Sequence, residues 1–182
     1  LGGMEAVIWL DVIQGLLLIV GGIITLVVIG LKMEGGLGAV LSTANSEGKM
    51  SLGPFDWDFV NLTFWVMAIN GVFYAIQKYG TDQTIVQRYL TARTDRSAKR
   101  ASVMGVLMVV PIWTIFMFIG TALYVFYQQS VNPLPEDIRA DAVFPFFILN
   151  EMPVGVIGLI ISALMAAAIS SLDSDLNCLA AV

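Results

Sequence analysis

Residues 160–182 read IISALMAAAISSLDSDLNCLAAV. This stretch is apolar and long enough to belong to a membrane-spanning helix, which needs about 20 residues. Within eight positions, however, it carries six polar side chains: Ser170, Ser171, Asp173, Ser174, Asp175 and Asn177. A carboxylate inside a membrane is costly, so ionisable residues in such spans are functional candidates by default. The stretch therefore predicts a membrane helix that carries a binding site.

One face of this helix offers only oxygen atoms as ligands. Positions i, i+3 and i+4 share a face, which brings together Ala167, Ser170, Ser171 and Ser174, with Asp173 beside them. Oxygen ligands suit a hard cation, and the small residues before Ser170 let another helix approach closely. The alternative is that the serines bond back to carbonyl groups of the preceding turn and join helices together.

The composition is that of an integral membrane protein. Residues of the hydrophobic set make up 58% of the chain, charged residues 13%, and the mean hydropathy is +0.84, far from the composition of soluble domains. The net charge of −5 argues against nucleic acid as a partner. The single cysteine, Cys178, cannot form an internal disulfide and is expected to be a packing residue. Because the chain begins without Met and ends inside a helical pattern, we expect an internal piece of a larger protein.

Hydropathy predicts four transmembrane helices, at about residues 6–31, 59–79, 102–127 and 153–180. Residues 32–58 are Gly-rich and are expected to form a loop with at most short helical turns. Six of the nine basic residues lie in or beside the connector 81–100, which predicts that this connector is cytoplasmic. The acidic connectors 32–58 and 128–152 then lie outside.

Two acidic features fall at a similar depth in this topology. Ser170 lies about 25 Å along the fourth span at 1.5 Å per residue, in the cytoplasmic half of the bilayer. Asp11 lies near the inner end of the first span, although an aspartate at a helix end can also sit simply at the headgroup level. The shared depth predicts that Asp11 and Asp173 belong to one cation site.

Four segments together resemble the sodium:solute symporter family, which includes sodium/glucose, sodium/proline and bacterial sialic acid transporters. They read GGMEAVIWLDVIQG, YGTDQTIVQRYLTA, IGTALYVFYQ and LMAAAISSLDSDLN, and the resemblance extends over essentially all 182 residues. It implies an all-α membrane protein with the inverted-repeat (LeuT-like) transporter fold, in which two five-helix repeats surround a midplane site. The chain would be a fragment with four transmembrane helices, the fifth to eighth core helices, within a single transporter domain of a multi-pass protein of the cell (plasma or inner) membrane.

The resemblance also implies which residues bind sodium. By position, the family's sodium site matches the carbonyl of Ala167 and the hydroxyls of Ser170 and Ser171, with further ligands from the first core helix. A second sodium site of some members resembles Asp11 together with Ser170, Asp173 and Ser174. Asp173 stands where such members often carry a hydroxyl, and its extra charge fits either tighter cation binding or a carried proton.

The function implied is sodium-coupled symport of a small organic solute, such as a sugar, sialic acid or another carboxylate, without covalent change of the solute. Sugar-transporting relatives carry an aromatic pair and a lysine on the sixth and seventh core helices. The corresponding segments here are QKYGTDQ, with Lys78 and Tyr79, and VLMVVP, without lysine, which reduces the support for glucose or galactose. One alternative is a symporter-like membrane sensor domain of a signalling protein. Another is a purely structural helix bundle, which leaves Asp11 and Asp173 without a role.

Overall fold

The structure, a computed structural model, describes residues 3–130 and 133–180, and within them all regular elements are helices. The all-α prediction is therefore confirmed. Three parts of the predicted features lie outside the described residues. They are residue 2, at the start of the first family-like segment, residues 131 and 132 in the second acidic connector, and residues 181 and 182 at the end of the stretch quoted first.

Seven α-helices and one 3-10 turn follow one another along the described chain. They are α1 (Gly3–Lys32), α2 (Gly36–Ser46), α3 (Phe64–Gly80), α4 (Gln83–Leu90), α5 (Asp95–Gln129), the 3-10 turn Ala140–Ala142, α6 (Val143–Glu151) and α7 (Val154–Ala180). Among the described residues, three helices are long and apolar enough to cross a membrane: α1 from Glu5, α5 and α7. The remaining predicted helix, at 59–79, corresponds to α3, whose 17 residues lie at the lower limit for a transmembrane span.

The helix α3 begins at Phe64 and not at residue 59, because polar side chains hold the preceding residues in a turn. The Asp58 carboxylate accepts the backbone N–H groups of Val60, at 2.8 Å, and of Asn61, at 3.3 Å. Thr63 then caps the helix by accepting the N–H of Val66, as N-terminal Thr residues commonly do. The apolar residues of this turn resemble a span in hydropathy, but their backbone is not helical.

The connector 32–58 contains a full helix, α2, where only short turns are expected. Gly35 and Gly36 have φ values of 83° and 59°, a backbone region open to Gly at little cost, and they reverse the chain after α1. The apolar residues of α2 recur at helical spacing, and Val40 and Ala44 are buried where α2 packs against α1 and α5. Tertiary packing thus stabilises a helix that the Gly-rich sequence conceals.

The helix α5 starts at Asp95, earlier than the predicted 102, because Thr94 and Ser97 form a reciprocal capping box. At 1.5 Å per residue its 35 residues extend about 50 Å. The basic connector is therefore split between the short helix α4 and the first turns of α5.

The molecule is held together by α1, which packs along α7 and α5. A Cβ placed on Gly22 of α1 would lie 3.3 Å from Ile119 of α5, so a glycine permits this close approach. The buried apolar cluster lies where the end of α1 meets α2, the second half of α5 and α6, and it includes Ile29, Val40, Val125 and Phe147. At the opposite end of α1, α4 packs against α7 and α5, and this end carries the polar residues.

Candidate cation-binding site

Asp11 of α1 is contacted by residues from two other helices. The Ser170 hydroxyl of α7 donates a hydrogen bond to its Oδ1. Nη2 of Arg88, from α4, lies 2.6 Å from its Oδ2, and 18% of the Asp11 side chain is exposed compared with 34% of Arg88. The carboxylate is thus largely enclosed and neutralised by a guanidinium, as a carboxylate in an apolar helix requires.

The Arg88 guanidinium also reaches a second hydroxyl on α7. Its Nη2 donates to Oγ of Ser174 at 3.1 Å, and Ser174 is buried. Ser170 and Ser174 are four residues apart and therefore lie on the same helix face. A continuous polar network of Asp11, Ser170, Ser174 and Arg88 links α1, α4 and α7. We call it the Asp11 network.

A buried amide lies beside this network on α1. Gln14 follows Asp11 by three residues, which places it on the same side of the helix. Only 9% of Gln14 is exposed, and within the described part of the chain its Oε1 has no hydrogen-bond partner. Because buried polar atoms are nearly always paired, an unpaired amide oxygen is a candidate ligand for a cation.

The position of α4 is fixed by contacts other than those of Arg88. Oε1 of Gln87 accepts hydrogen bonds from Nδ2 of Asn177 at 3.4 Å and from Sγ of Cys178 at 3.3 Å. At the start of α4, Asp82 accepts a hydrogen bond from Nζ of Lys78 at 2.5 Å and caps the helix through the N–H of Thr84. These bonds, with that from Lys78 the strongest influence, lower the pKa of Asp82 to about 2.

The other predicted ligands on α7 lie apart from the Asp11 network. Ser171 is exposed and donates a hydrogen bond to the carbonyl oxygen of Ala167 at 3.3 Å. This is the bond to the preceding helical turn that the sequence analysis gives as the alternative to cation binding. Ser170 does not share it, because its hydroxyl points to Asp11. Ser171 therefore has the geometry of the second alternative, whereas Ser170 contacts a carboxylate on another helix.

Asp173 is half-buried, and within residues 3–130 and 133–180 it forms no hydrogen bond or ion pair with another side chain. The structure therefore joins Asp11 to Ser170 directly and to Ser174 through Arg88, and it does not pair Asp11 with Asp173. Asp173 borders the network only through its sequence neighbour Ser174.

Sequence reasoning missed Arg88, which it assigns only to the basic, cytoplasmic connector. One signal was available: Asp11 lies in an apolar span and needs a compensating charge, and the predicted topology places the connector 81–100 at the same side of the membrane. Arg88 is also the first arginine of that connector, and it lies among apolar residues at helical spacing, namely Ile85, Val86, Tyr89 and Leu90.

Comparison with known proteins places this geometry in context. A sequence profile of the sodium:solute symporter family matches residues 1–182. The chain is 38% identical to the sodium/sialic acid symporter NanT of Aliivibrio fischeri, across 100% of this chain and 36% of that protein. It is 34% identical to the sodium-dependent multivitamin transporter of Oryctolagus cuniculus, across 100% of this chain and 29% of that protein. The chain thus spans about a third of the length of these relatives.

A solved structure has the same arrangement of helices. It is a substrate-bound, outward-open state of a Na⁺-coupled sialic acid symporter, a structure that reveals a novel Na⁺ site. The TM-score is 0.90 at 38% identity, across 97% of this chain and 37% of that one.

Proposed function

The chain belongs to the sodium:solute symporter family, and on this premise we propose that it forms part of a sodium-driven symporter that carries a small organic solute across the membrane. The observation that carries the proposal is the Asp11 network, a carboxylate held inside apolar helices against the hydroxyls of α7. Holding a carboxylate inside apolar helices is costly, and a protein that binds and releases a cation has a use for one. The solute undergoes no covalent change, so the chain has no catalytic residue.

The proposed sodium ligands lie on α7 and α1. One site comprises the carbonyl of Ala167 and the hydroxyls of Ser170 and Ser171, completed by residues from another part of the transporter. A second comprises Asp11, Ser174 and the Ser170 hydroxyl, with Asp173 beside it as a further ligand or as a proton carrier. The donor set consists of hydroxyl, carbonyl and carboxylate oxygens, which fits a hard monovalent cation.

Sodium is cargo in this scheme, and its downhill movement drives the solute. Binding of a cation beside Asp11 neutralises the carboxylate in the same way as Arg88 does in the structure. Binding and release of sodium therefore change the contacts of Asp11 at the interface of α1, α4 and α7, and a cation that binds one packing of these helices more tightly shifts the equilibrium towards that packing.

The proposed solute is a carboxylate, with sialic acid the first compound to test. The relatives reported above include a sodium/sialic acid symporter, and others are sodium-coupled monocarboxylate transporters of Homo sapiens and Bos taurus. The solutes in these names are all organic acids. No nucleic acid partner is proposed, and the lipid bilayer is the environment of the chain.

Uptake into proteoliposomes tests the proposal. The full-length transporter is reconstituted, and uptake of radiolabelled sialic acid is followed with an inward sodium gradient and with choline in place of sodium. Replacing both Ser170 and Ser171 with Ala removes two oxygen ligands of about 1 kcal/mol each, which raises the sodium concentration for half-maximal uptake roughly tenfold or more.

Ser162→Ala is the matched control, since Ser162 is exposed on the same helix and outside the proposed sites. Sodium-independent uptake, or the same sodium dependence in the double variant as in the wild type, would overturn the proposal.

A further inference from the structure

We propose that Arg88 is a tethered cation that competes with sodium for the position between Asp11 and Ser174, so that sodium binds there only when the guanidinium leaves. The inference rests on the proposed function, in which Asp11 and Ser174 belong to a cation site. Nη2 of Arg88 lies 2.6 Å from Oδ2 of Asp11 and 3.1 Å from Oγ of Ser174. A guanidinium nitrogen and a sodium ion that both contacted these two oxygens would lie close together, and two positive charges at that distance repel each other strongly.

The guanidinium and the sodium ion perform the same electrostatic task. Asp11 is largely enclosed, and a lone carboxylate there is costly. Arginine remains charged under all ordinary conditions and is less strongly hydrated than an ammonium group, so it suits an enclosed ion pair. The site therefore holds one positive charge in either state, from Arg88 or from sodium.

Arg88 can leave without undocking α4. Gln87 bonds to Asn177 and Cys178 on α7, and Asp82 fixes the start of α4, so neither anchor uses the guanidinium. Arg88 lies in the last turn of α4, and 34% of its side chain is exposed, which gives the guanidinium a route to water. Rotation of one long side chain is enough to open the site.

The competition lowers the apparent sodium affinity: the intrinsic affinity is multiplied by the fraction of time for which the site is open. If the guanidinium occupies the site nine-tenths of the time, removal of Arg88 strengthens sodium binding about tenfold. The same residue would thereby decide whether sodium occupies this second position at a given concentration, and hence how many sodium ions accompany each solute.

Equilibrium binding of ²²Na⁺ to the purified full-length transporter tests the competition. Arg88→Gln removes the charge and keeps a polar side chain, and it should strengthen sodium binding about tenfold. Arg88→Lys keeps the charge and should stay nearer to the wild type. Arg93→Gln is the matched control: it changes the charge of the same connector by the same amount, but Arg93 is exposed and lies outside the Asp11 network, so sodium binding should not change.

A second measurement uses the wild type and so does not depend on the folding of a variant. The arginine reagent phenylglyoxal is applied in sodium or in choline, and the modified peptides are quantified by mass spectrometry. Sodium should increase the modification rate of Arg88, because it releases the guanidinium from Asp11. The rate at Arg93 should be the same in both salts.

The outcomes separate this inference from the function on which it rests. Wild-type protein that binds no sodium contradicts the proposed function itself. Wild-type protein that binds sodium, with Arg88 equally reactive or less reactive in sodium than in choline, overturns only the competition. Weaker sodium binding in a folded Arg88→Gln variant likewise overturns it and would mean that Arg88 supports the ligands.

Discussion

Neutralising either member of the Asp11–Arg88 pair should destabilise the protein, and neutralising both should cost less than the sum of the two. Asp11→Asn removes the charge of the carboxylate and keeps an oxygen that can accept the Ser170 hydroxyl. Arg88→Gln removes the charge of the guanidinium. Each single change leaves one charge at the interface of α1, α4 and α7 without its partner, and the double change leaves none.

The structure sets the size of the effect. At 2.6 Å and an effective dielectric constant of about 20, the attraction is about 6 kcal/mol before the costs of desolvation and ordering. Exposed pairs retain about 0.2–1 kcal/mol of such an attraction, and breaking a buried pair costs about 3–5 kcal/mol. Because Arg88 is a third exposed and Asp11 is more enclosed, we expect a coupling energy of about 2 kcal/mol, with Arg88→Gln the more damaging single change.

The assay measures the free energy of unfolding of the purified full-length transporter. The helical signal in circular dichroism is followed during a titration with denaturing detergent. Sodium-free choline buffer is used, so that no sodium ion replaces the missing charge. Asp175→Asn is the control, since Asp175 is exposed on α7, and it should change the free energy by less than about 0.5 kcal/mol. If the loss of free energy of unfolding in the double variant equals the sum of the losses in the two single variants, the reasoning is refuted.

Three further outcomes are expected. In intact cells, Ser97→Cys in a background without Cys178 should resist an impermeant thiol reagent, because the basic connector is predicted to be cytoplasmic; labelling from outside would invert the topology. Phe147→Ala should lower the free energy of unfolding by about 3 kcal/mol, since Phe147 is fully buried and its removal leaves a cavity; an unchanged value would contradict the packing of α6. The hydrogen bonds to Asp82, among which that from Lys78 has the largest effect, lower its pKa from 3.8 to about 2, so the stabilisation is present above pH 3.8 and lost as the pH falls through 2; Asp82→Asn should abolish that loss, and acid-unfolding curves that are identical in the wild type and the variant would count against it.

The sequence predicts the long, uniformly apolar helices better than it predicts the residues at which helices begin and end. Apolar length alone identifies α1, α5 and α7, and the family predicted from four ordered segments is confirmed. The start of α3 depends on Asp58 and Thr63, whose bonds to backbone N–H groups outweigh the apolar pattern of the residues between them. The helix α2 depends on burial of Val40 between other helices, which the composition of a Gly-rich connector does not reveal.

The site could be predicted in part. Asp11 and Ser170 are 159 residues apart and in contact, as their shared depth in the membrane suggests. Arg88 lies 86 residues from Ser174, and a charge count on the connector cannot show which of its basic residues turns inward. Asp173 and Asp11 share a predicted depth, but depth does not specify rotation about the axis of α7. Whether Asp173 belongs to the same cation site stays a prediction.

The central claim, that the oxygen-bearing face of α7 together with Asp11 binds sodium, is tested most directly by equilibrium ²²Na⁺ binding to the purified full-length protein with and without Ser170. This hydroxyl is the one group common to both proposed sites and contacts Asp11 directly. The wild type should bind sodium saturably, Ser170→Ala should bind it about fivefold more weakly, and Ser162→Ala should match the wild type. Absence of saturable binding in the wild type, or an unchanged affinity in Ser170→Ala, would contradict the claim.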